Sequence, residues 1–239
     1  KVMPMKRGFD ALNEIIMKMV DIIMLMAPFA VFSLLASVIA NTGDPALLFA
    51  LIKYALAVLA GLAFMIVFHL IVIKVYAKKS PLWFLKQISP AQLVAFSTSS
   101  SAATLPVTME RVEEHIGVDK EVSSFVLPVG ATINMDGTAL FQCATTLFMA
   151  QAYGIELTIL NLLLITFTVV AASIGTPAIP GGGVIILASV LQSAGIPVDG
   201  LIVVIGIDRI LGMFRTSVNV TGDLAACLIF NKFFGNKTV

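Results

Sequence analysis

Five residues near the C-terminal end of the chain, Asp208, Gly212, Arg215, Asn219 and Asp223, recur at intervals of three or four. On an α-helix they fall within an arc of about 80° and form one face, which we call the polar stripe. Arg215 offers a planar guanidinium fork for a carboxylate, and Asp223 offers a hard oxygen ligand for a cation. A buried ion-pair network that fixes helix register is the alternative. It explains Asp208 and Arg215 but not the continuation to Asp223.

A second polar group interrupts an apolar stretch upstream of the stripe. The segment "NMDGT" (Asn134 to Thr138) lies between "SSFVLPVGATI" and "ALFQCATTLFMA", neither of which has a loop-like composition. An ordinary Asn-Asp-Gly turn is the alternative, and the apolar flanks disfavour it. We therefore predict a helix that unwinds in its middle and offers carbonyls, Asn134 and Asp136 as oxygen ligands for Na⁺.

The elements that carry these residues are apolar. Of the 239 residues, 59% are hydrophobic and 12% are charged, with a mean hydropathy of +1.01. Soluble domains have about 45–50% apolar and about 25% charged residues. We therefore predict an all-α, polytopic integral membrane protein. The net charge of +1 disfavours a nucleic-acid partner.

Two further polar segments each separate a pair of short apolar pieces. These segments are "STSSS" (Ser97 to Ser101) and "GTPAIPGGG" (Gly175 to Gly183). A flexible serine-rich linker and a plain surface loop are the respective alternatives. The apolar pieces around "STSSS" do not reach the roughly 18 residues of a membrane span, so we predict re-entrant helical hairpins. Their tips would bring hydroxyls, amides and glycine backbone to an anion.

Hydropathy orders these segments along the chain. We expect two transmembrane helices within residues 1–80, over 15–40 and 47–76, and a core over 81–239. The core is predicted as a hairpin over 81–112, an unwound helix over 121–152, a second hairpin over 157–194 and the polar-striped helix over 200–231. The second pair repeats the first in kind, which predicts an inverted repeat. Paired interrupted segments indicate the binding site of a transporter.

Charge in the loops predicts the orientation. With the N-terminus inside, the cytoplasmic stretches carry Lys78, Lys79, Lys86 and Lys232, and the outer loops near Glu156 and Asp199 carry no Lys or Arg. This distribution satisfies the positive-inside rule and predicts a multi-pass protein of the cell (inner or plasma) membrane.

Four motifs together, "STSSSAATLP", "LPVGATINMDGTAL", "IGTPAIPGGG" and "FRTSVNVTGD", resemble the dicarboxylate/amino acid:cation symporter family, which is the glutamate transporter family. The resemblance covers essentially the whole chain and corresponds to the C-terminal portion of a member. It implies a transport domain of two re-entrant hairpins and two unwound helices, elevator-type alternating access, and a homotrimer in membrane lipid.

The resemblance also implies roles for individual residues. Those expected at the substrate are Ser99, Ser100, Ser101, Thr138, Ile179, Gly183, Arg215, Thr216 and Asn219. Those expected at Na⁺ sites are Gly130, Thr132, Asn134, Asp136, Ser173, Ile174, Thr176, Asn219 and Asp223.

The chain departs from the family at the position that binds the α-amino group. Many amino-acid-carrying members have an Asp three residues before the Arg, where this chain has Gly212. The Arg found near that Asp in the family is also missing, since Ser99 and Met213 occupy its two positions. We therefore expect C4-dicarboxylates as the first substrates and acidic amino acids as the second.

We expect, then, a transporter and not an enzyme, one that couples Na⁺ influx to uptake of a small acidic solute. A proton-coupled glutamate/aspartate symporter and a non-concentrating channel are the alternatives. An intramembrane serine hydrolase built on the serine tip is disfavoured, because we expect neither His69 nor His115 to have an orienting carboxylate.

Overall fold

The protein is helical throughout the part that the computed structural model describes, residues 3–42 and 45–235, and no strand occurs there. The helices are α1 (Met3–Leu25), α2 (Ala27–Thr42), α3 (Pro45–Val72), α4 (Pro81–Thr98), α5 (Ser101–Glu110), α6 (Lys120–Ile133), α7 (Asp136–Ala152), α8 (Ile159–Ile174), α9 (Gly182–Ser193) and α10 (Leu201–Phe234). Short π-helical turns extend α3 to Ala77 and α5 to Ile116. The all-α expectation is confirmed.

The first apolar stretch differs from the expectation of one helix over 15–40, because α1 and α2 meet at Met26. Pro28 follows two residues later. Proline has no N–H for the carbonyl four residues earlier, and its ring clashes with that carbonyl, so the helical ladder breaks here. The chain divides into two compact units with the boundary at Pro45, and α1 and α2 belong to the first.

Among the described residues, one helix is long and apolar enough by itself to cross a membrane. It runs over Phe49–Ala77, with a mean hydropathy of 2.8. The apolar helices α8 and α9 have 16 and 12 residues, which is shorter than the roughly 20 residues of a full span.

Within the second unit, α10 lies between two hydrophobic clusters. Its N-terminal half, represented by Leu211 and Val218, packs with Phe141 of α7 and Leu187 of α9. Its C-terminal half packs with α4 to α6 in a separate cluster that includes Phe84, Ile88, Leu127, Leu224 and Leu228. Both clusters hold α10 in place and leave its polar stripe facing the interruptions of the other helices.

Local sequence determines where those interruptions fall. Helix α4 ends at Ser99, which adopts a left-handed conformation with φ of 53°, and Ser100 caps the start of α5. Helix α6 ends before Asn134 and α7 begins at Asp136, whose acidic side chain suits the positive end of a helix. The loop before α9 turns tightly, since a Cβ on Gly182 would lie 2.3 Å from the carbonyl oxygen of Pro177.

Candidate substrate and cation site

The polar stripe is buried. Asp208, Arg215, Asn219 and Asp223 are 2–7% exposed, although they include three formal charges. An unpaired charge at such a place is costly, so each of these side chains needs a partner. The partners come from Asn134 at the end of α6, from the start of α7 and from within α10.

A small cavity lies beside the stripe, where the turn after α4, the start of α7 and the loop before α9 meet it. Its lining is Ser99, Ser101, Met135, Thr138, Thr176, Pro177, Ala178, Ile179, Gly183, Arg215, Thr216 and Asn219. The volume is about 20 Å³, which is enough for about one water molecule. A dicarboxylate would enter only if one of the two loops moved away.

Arg215 is the cationic group of this cavity. Its Nη1 donates to Asp208 Oδ1 at 3.0 Å, and its guanidinium carbon lies 4.3 Å from the ring centroid of Phe141. A Cβ on Gly183 would lie 3.1 Å from that carbon, so the α9 backbone approaches the guanidinium as only glycine allows. Asp208 thus neutralises and orients the fork within the helix, while the ring supports one face.

Asn219 joins α10 to the start of α7. Its Nδ2 donates to Thr138 Oγ1 at 3.0 Å, and its Oδ1 accepts from the backbone N–H of Gly137 at 2.8 Å. A Cβ on Gly137 would lie 2.9 Å from Asn219 Oδ1, so glycine permits this close packing. The contact places Thr138, Asn219 and Arg215 on one wall of the cavity.

One stripe turn further on, Asp223 meets the end of α6. Asn134 Nδ2 donates to Asp223 Oδ1 at 2.9 Å and approaches the carbonyl oxygen of Asn219 at 3.3 Å. A Cβ on Gly130 would lie 2.6 Å from Asp223 Oδ1. Carboxylate, amide and carbonyl oxygens therefore concentrate where α6 unwinds, and these are the ligands that hard cations take.

Asp136 has a partner that the sequence did not indicate. His69 Nε2 on α3 lies 2.7 Å from Asp136 Oδ2, and Gly222 of α10 packs against the pair, since a Cβ there would lie 3.2 Å from Nε2. The expectation that neither histidine has an orienting carboxylate is therefore wrong for His69. Its opposite nitrogen, Nδ1, is buried and has no hydrogen-bond partner in the part of the chain that the structure describes. No local sequence motif indicates this pair, because the two residues lie far apart in sequence.

The three tip serines differ in their surroundings. Ser99 and Ser101 line the cavity. Ser99 Oγ is buried and no described residue forms a hydrogen bond with it, so it is available to a ligand. Ser100 does not line the cavity, contrary to its expected place at the substrate. Its hydroxyl accepts from the N–H of Ala103 at 3.1 Å and donates to the carbonyl oxygen of Ala178 at 2.7 Å.

Of the residues expected to bind ligands in the second hairpin, some line the cavity and others do not. Ile179, Gly183 and Thr176 line the cavity. Ser173 is buried and its hydroxyl donates to the carbonyl of Val170, whereas Ile174 is 48% exposed. Gln142 of α7, which sequence analysis did not select, supports this region because its Nε2 donates to the carbonyl oxygen of Gly183 at 3.0 Å.

Thr132 is the one expected cation residue on α6 whose side chain the structure does not bring to Asp223. It is exposed, and its hydroxyl donates to the carbonyl oxygen of Val129 in its own helix at 2.9 Å. The other α6 residues, Gly130 and Asn134, lie against Asp223 as described above.

The sequence of this chain is similar to a known protein family and to several known transporters. The model of the sodium:dicarboxylate symporter family matches residues 1–233. Human excitatory amino acid transporter 1 is 41% identical over 222 residues, covering 92% of this chain and 41% of the relative. An excitatory amino acid transporter of Caenorhabditis elegans is 38% identical, covering 92% and 44%. Human neutral amino acid transporter B(0) is 42% identical, covering 94% and 42%. The chain thus spans about two fifths of the length of these relatives.

Proposed function

Because this chain belongs to the sodium:dicarboxylate symporter family, we propose that it forms the substrate-binding part of a secondary active transporter that takes up a small acidic solute with Na⁺. The observation that carries the proposal is the buried Arg215, held by Asp208 at a cavity lined by hydroxyl and amide groups. A guanidinium in such a place binds a carboxylate through two parallel hydrogen bonds.

The remaining lining suits the second carboxylate of a short diacid. Ser99 and Ser101 line the cavity from the turn after α4, and Ser99 Oγ has no hydrogen-bond partner among the described residues. Thr138, Thr216 and Asn219 offer further hydroxyl and amide groups between them. In the proposal Arg215 binds one carboxylate and the serine tip binds the other.

Gly212 favours a substrate without an amino group. A Cβ there would meet a single atom within 4 Å, Arg215 Nη2 at 3.4 Å, so a side chain would fit, yet this chain has none. An α-ammonium would need a carboxylate at this depth. The names of the relatives include both excitatory and neutral amino acid transporters at similar identity, so identity alone does not select the substrate. We propose C4-dicarboxylates first and acidic amino acids second.

Na⁺ is proposed to bind where α6 unwinds. Asp223, Asn219 and Asn134 supply carboxylate and amide oxygens, Gly130 a carbonyl, and Asp136 a second carboxylate close by. A further Na⁺ is proposed at the loop before α9, on Ser173, Ile174 and Thr176. Binding of cation and substrate to the same stripe would couple them, because Asn219 contacts both Asn134 of the proposed cation site and Thr138 of the cavity wall.

The membrane arrangement remains part of the proposal. The helix pairs α4–α5 and α8–α9 would be re-entrant hairpins, and with α6–α7 and α10 they would form an inverted repeat in a core over 81–239, of which 236–239 lie outside the described residues. The core would move as an elevator within a homotrimeric, multi-pass protein of the cell membrane. The short lengths of α8 and α9 support hairpins, since neither would span a bilayer alone.

Uptake into sealed vesicles with separately imposed gradients tests the function. The intact protein should concentrate radiolabelled succinate when an inward Na⁺ gradient is present and not when only a pH gradient is imposed. Accumulation driven by the pH gradient alone would favour the proton-coupled alternative. Equilibration without accumulation under either gradient would favour a channel.

A further inference from the structure

Ser100 connects the two loops that close the cavity. Its hydroxyl donates to the carbonyl oxygen of Ala178, 78 residues further along the chain, at 2.7 Å. Within the described residues this is the one hydrogen bond that joins the turn after α4 to the loop before α9. Ser100 is 1% exposed, so water does not compete for the bond.

Every polar group of Ser100 is already engaged. Its Oγ also accepts from the N–H of Ala103, its N–H donates to Thr98 Oγ1, and its carbonyl oxygen accepts from Thr104. A hydroxyl has one proton to donate, and Ala178 receives it. Ser100 is therefore unsuited to bind substrate, although Ser99 and Ser101 on either side line the cavity.

We propose that Ser100 is a positioning residue that latches the loop before α9 onto the turn after α4 and thereby sets how often the cavity opens. The inference rests on the proposed function only in identifying the cavity as the one that admits substrate. Opening is required for entry because the closed cavity holds about 20 Å³. It must break the Ser100–Ala178 bond, because Ala178 belongs to the loop that forms one wall.

The two roles of the hydroxyl can be separated by substitution. Ser100→Asp keeps a helix-capping oxygen for the N–H of Ala103 but cannot donate to Ala178 when ionised. Ser100→Ala loses both the cap and the latch, and Ser100→Thr keeps both. Ser97→Ala is the matched control, since the Ser97 hydroxyl donates only within its own helix, to the carbonyl of Val94.

The readout is the reaction rate of a cysteine at the cavity wall. Met135 is 4% exposed and lines the cavity, so Met135→Cys reports opening, in a background where Cys143 and Cys227 are replaced by alanine. The intact protein is reconstituted and treated with a small methanethiosulfonate reagent, without substrate. Thermal melting of each variant establishes that it is folded.

We expect Ser100→Ala to raise the modification rate roughly three- to tenfold, the effect of one net hydrogen bond. Ser100→Asp should raise it at least as much, because its carboxylate faces the carbonyl oxygen of Ala178. Ser100→Thr and Ser97→Ala should keep the parent rate. If both Ser100→Ala and Ser100→Asp are modified at the rate of the parent protein, the proposal that Ser100 latches the two loops is overturned. A raised rate in Ser100→Ala alone would also overturn it, because that result would assign the effect to the helix cap.

Failure of the latch and failure of the proposed function give different results. The modification assay needs neither substrate nor ion gradient, so it reports loop opening alone. The expected modification pattern without gradient-driven uptake would retain the latch and reject the transport proposal. Parent modification rates with intact uptake would reject the latch and retain the transport proposal.

Discussion

At the scale of single residues, the buried polar stripe of α10 is the feature on which the account depends. Each charge on it has a defined neighbour: Asp208 holds Arg215, and Asn134 donates to Asp223. These neighbours orient the side chains but do not use all of their hydrogen-bond donors and acceptors. Arg215 retains N–H donors for a carboxylate, and Asp223 retains oxygen lone pairs for a cation.

Arg215→Ala should abolish uptake of acidic solutes, with a loss of roughly 100-fold or more, because the substrate carboxylate would enter a buried site without its partner. Arg215→Lys should also fail, since a point charge does not reproduce the planar fork. Uptake of labelled succinate measures both. The double variant Asp208→Asn with Arg215→Ala controls for an unpaired buried Asp208. Uptake by Arg215→Ala close to that of the wild type would disprove the role of Arg215.

Asp223→Asn should weaken the Na⁺ dependence of substrate binding, with the half-saturating Na⁺ concentration rising roughly tenfold. The amide oxygen of the new residue can still accept from Asn134 Nδ2, so the fold should persist while the charged ligand is lost. A Na⁺ titration of substrate binding to purified protein measures the change. An unchanged Na⁺ requirement would make Asp223 a structural residue.

His69→Ala should lower stability, because it removes the hydrogen-bonded partner of Asp136; a bond to a charged group is worth about 1.5–3 kcal/mol. His115→Ala, at an exposed histidine, is the control and should be neutral. A double-mutant cycle with Asp136→Asn, followed by thermal melting, measures the coupling. Additive losses would show that the two side chains do not interact.

At the scale of elements, the site exists because helices approach α10 more closely than side chains would allow. Glycines at 130, 137, 183 and 222 make these approaches, each facing a polar atom of the site. The interruption between α6 and α7 then places Asn134 and Asp136 against α10, where a continuous helix would turn part of them away.

Gly130→Ala should weaken Na⁺ binding although alanine favours a helix by about 1 kcal/mol over glycine. The added Cβ would lie 2.6 Å from Asp223 Oδ1, so the carboxylate or α6 must move. Gly8→Ala on α1 is the matched control, because its Cβ would meet nothing within 4 Å. Na⁺-dependent substrate binding should fall in the first variant and stay normal in the second. Equal Na⁺-dependent substrate binding in the two variants would contradict the close approach of Gly130 to Asp223.

Sequence predicted the elements well where periodicity or composition determines them. The spacing of Asp208 to Asp223 predicted one buried face, and "NMDGT" predicted the interruption of α6 and α7. It missed the break at Met26, since the effect of Pro28 is local to the backbone and does not alter hydropathy. It also missed the His69–Asp136 pair and the Ser100–Ala178 hydrogen bond, because both contacts join residues distant in sequence.

At the scale of the whole molecule, the second unit combines two halves of one site. The arginine half has Arg215 and Asp208 on α10, and the carboxylate half has Asp223 on α10 and Asp136 on α7. Arg215 lies toward the cavity, and Asp136 and Asp223 lie toward the end of α6. Under the proposed function, an anion and a cation bound to these halves would stabilise one another, and this would couple their transport. Asn219, which contacts Gly137 and Thr138, lies between the two halves and joins them.

Competition between diacids and amino acids tests the central claim most directly. The test measures uptake of labelled succinate into sealed vesicles that contain the intact protein, under an inward Na⁺ gradient and with unlabelled succinate or aspartate added. We predict that succinate competes more strongly in the wild type, and that Gly212→Asp shifts the preference toward aspartate by adding a carboxylate for the α-ammonium. Competition by aspartate in the wild type that is much stronger than competition by succinate would contradict the account.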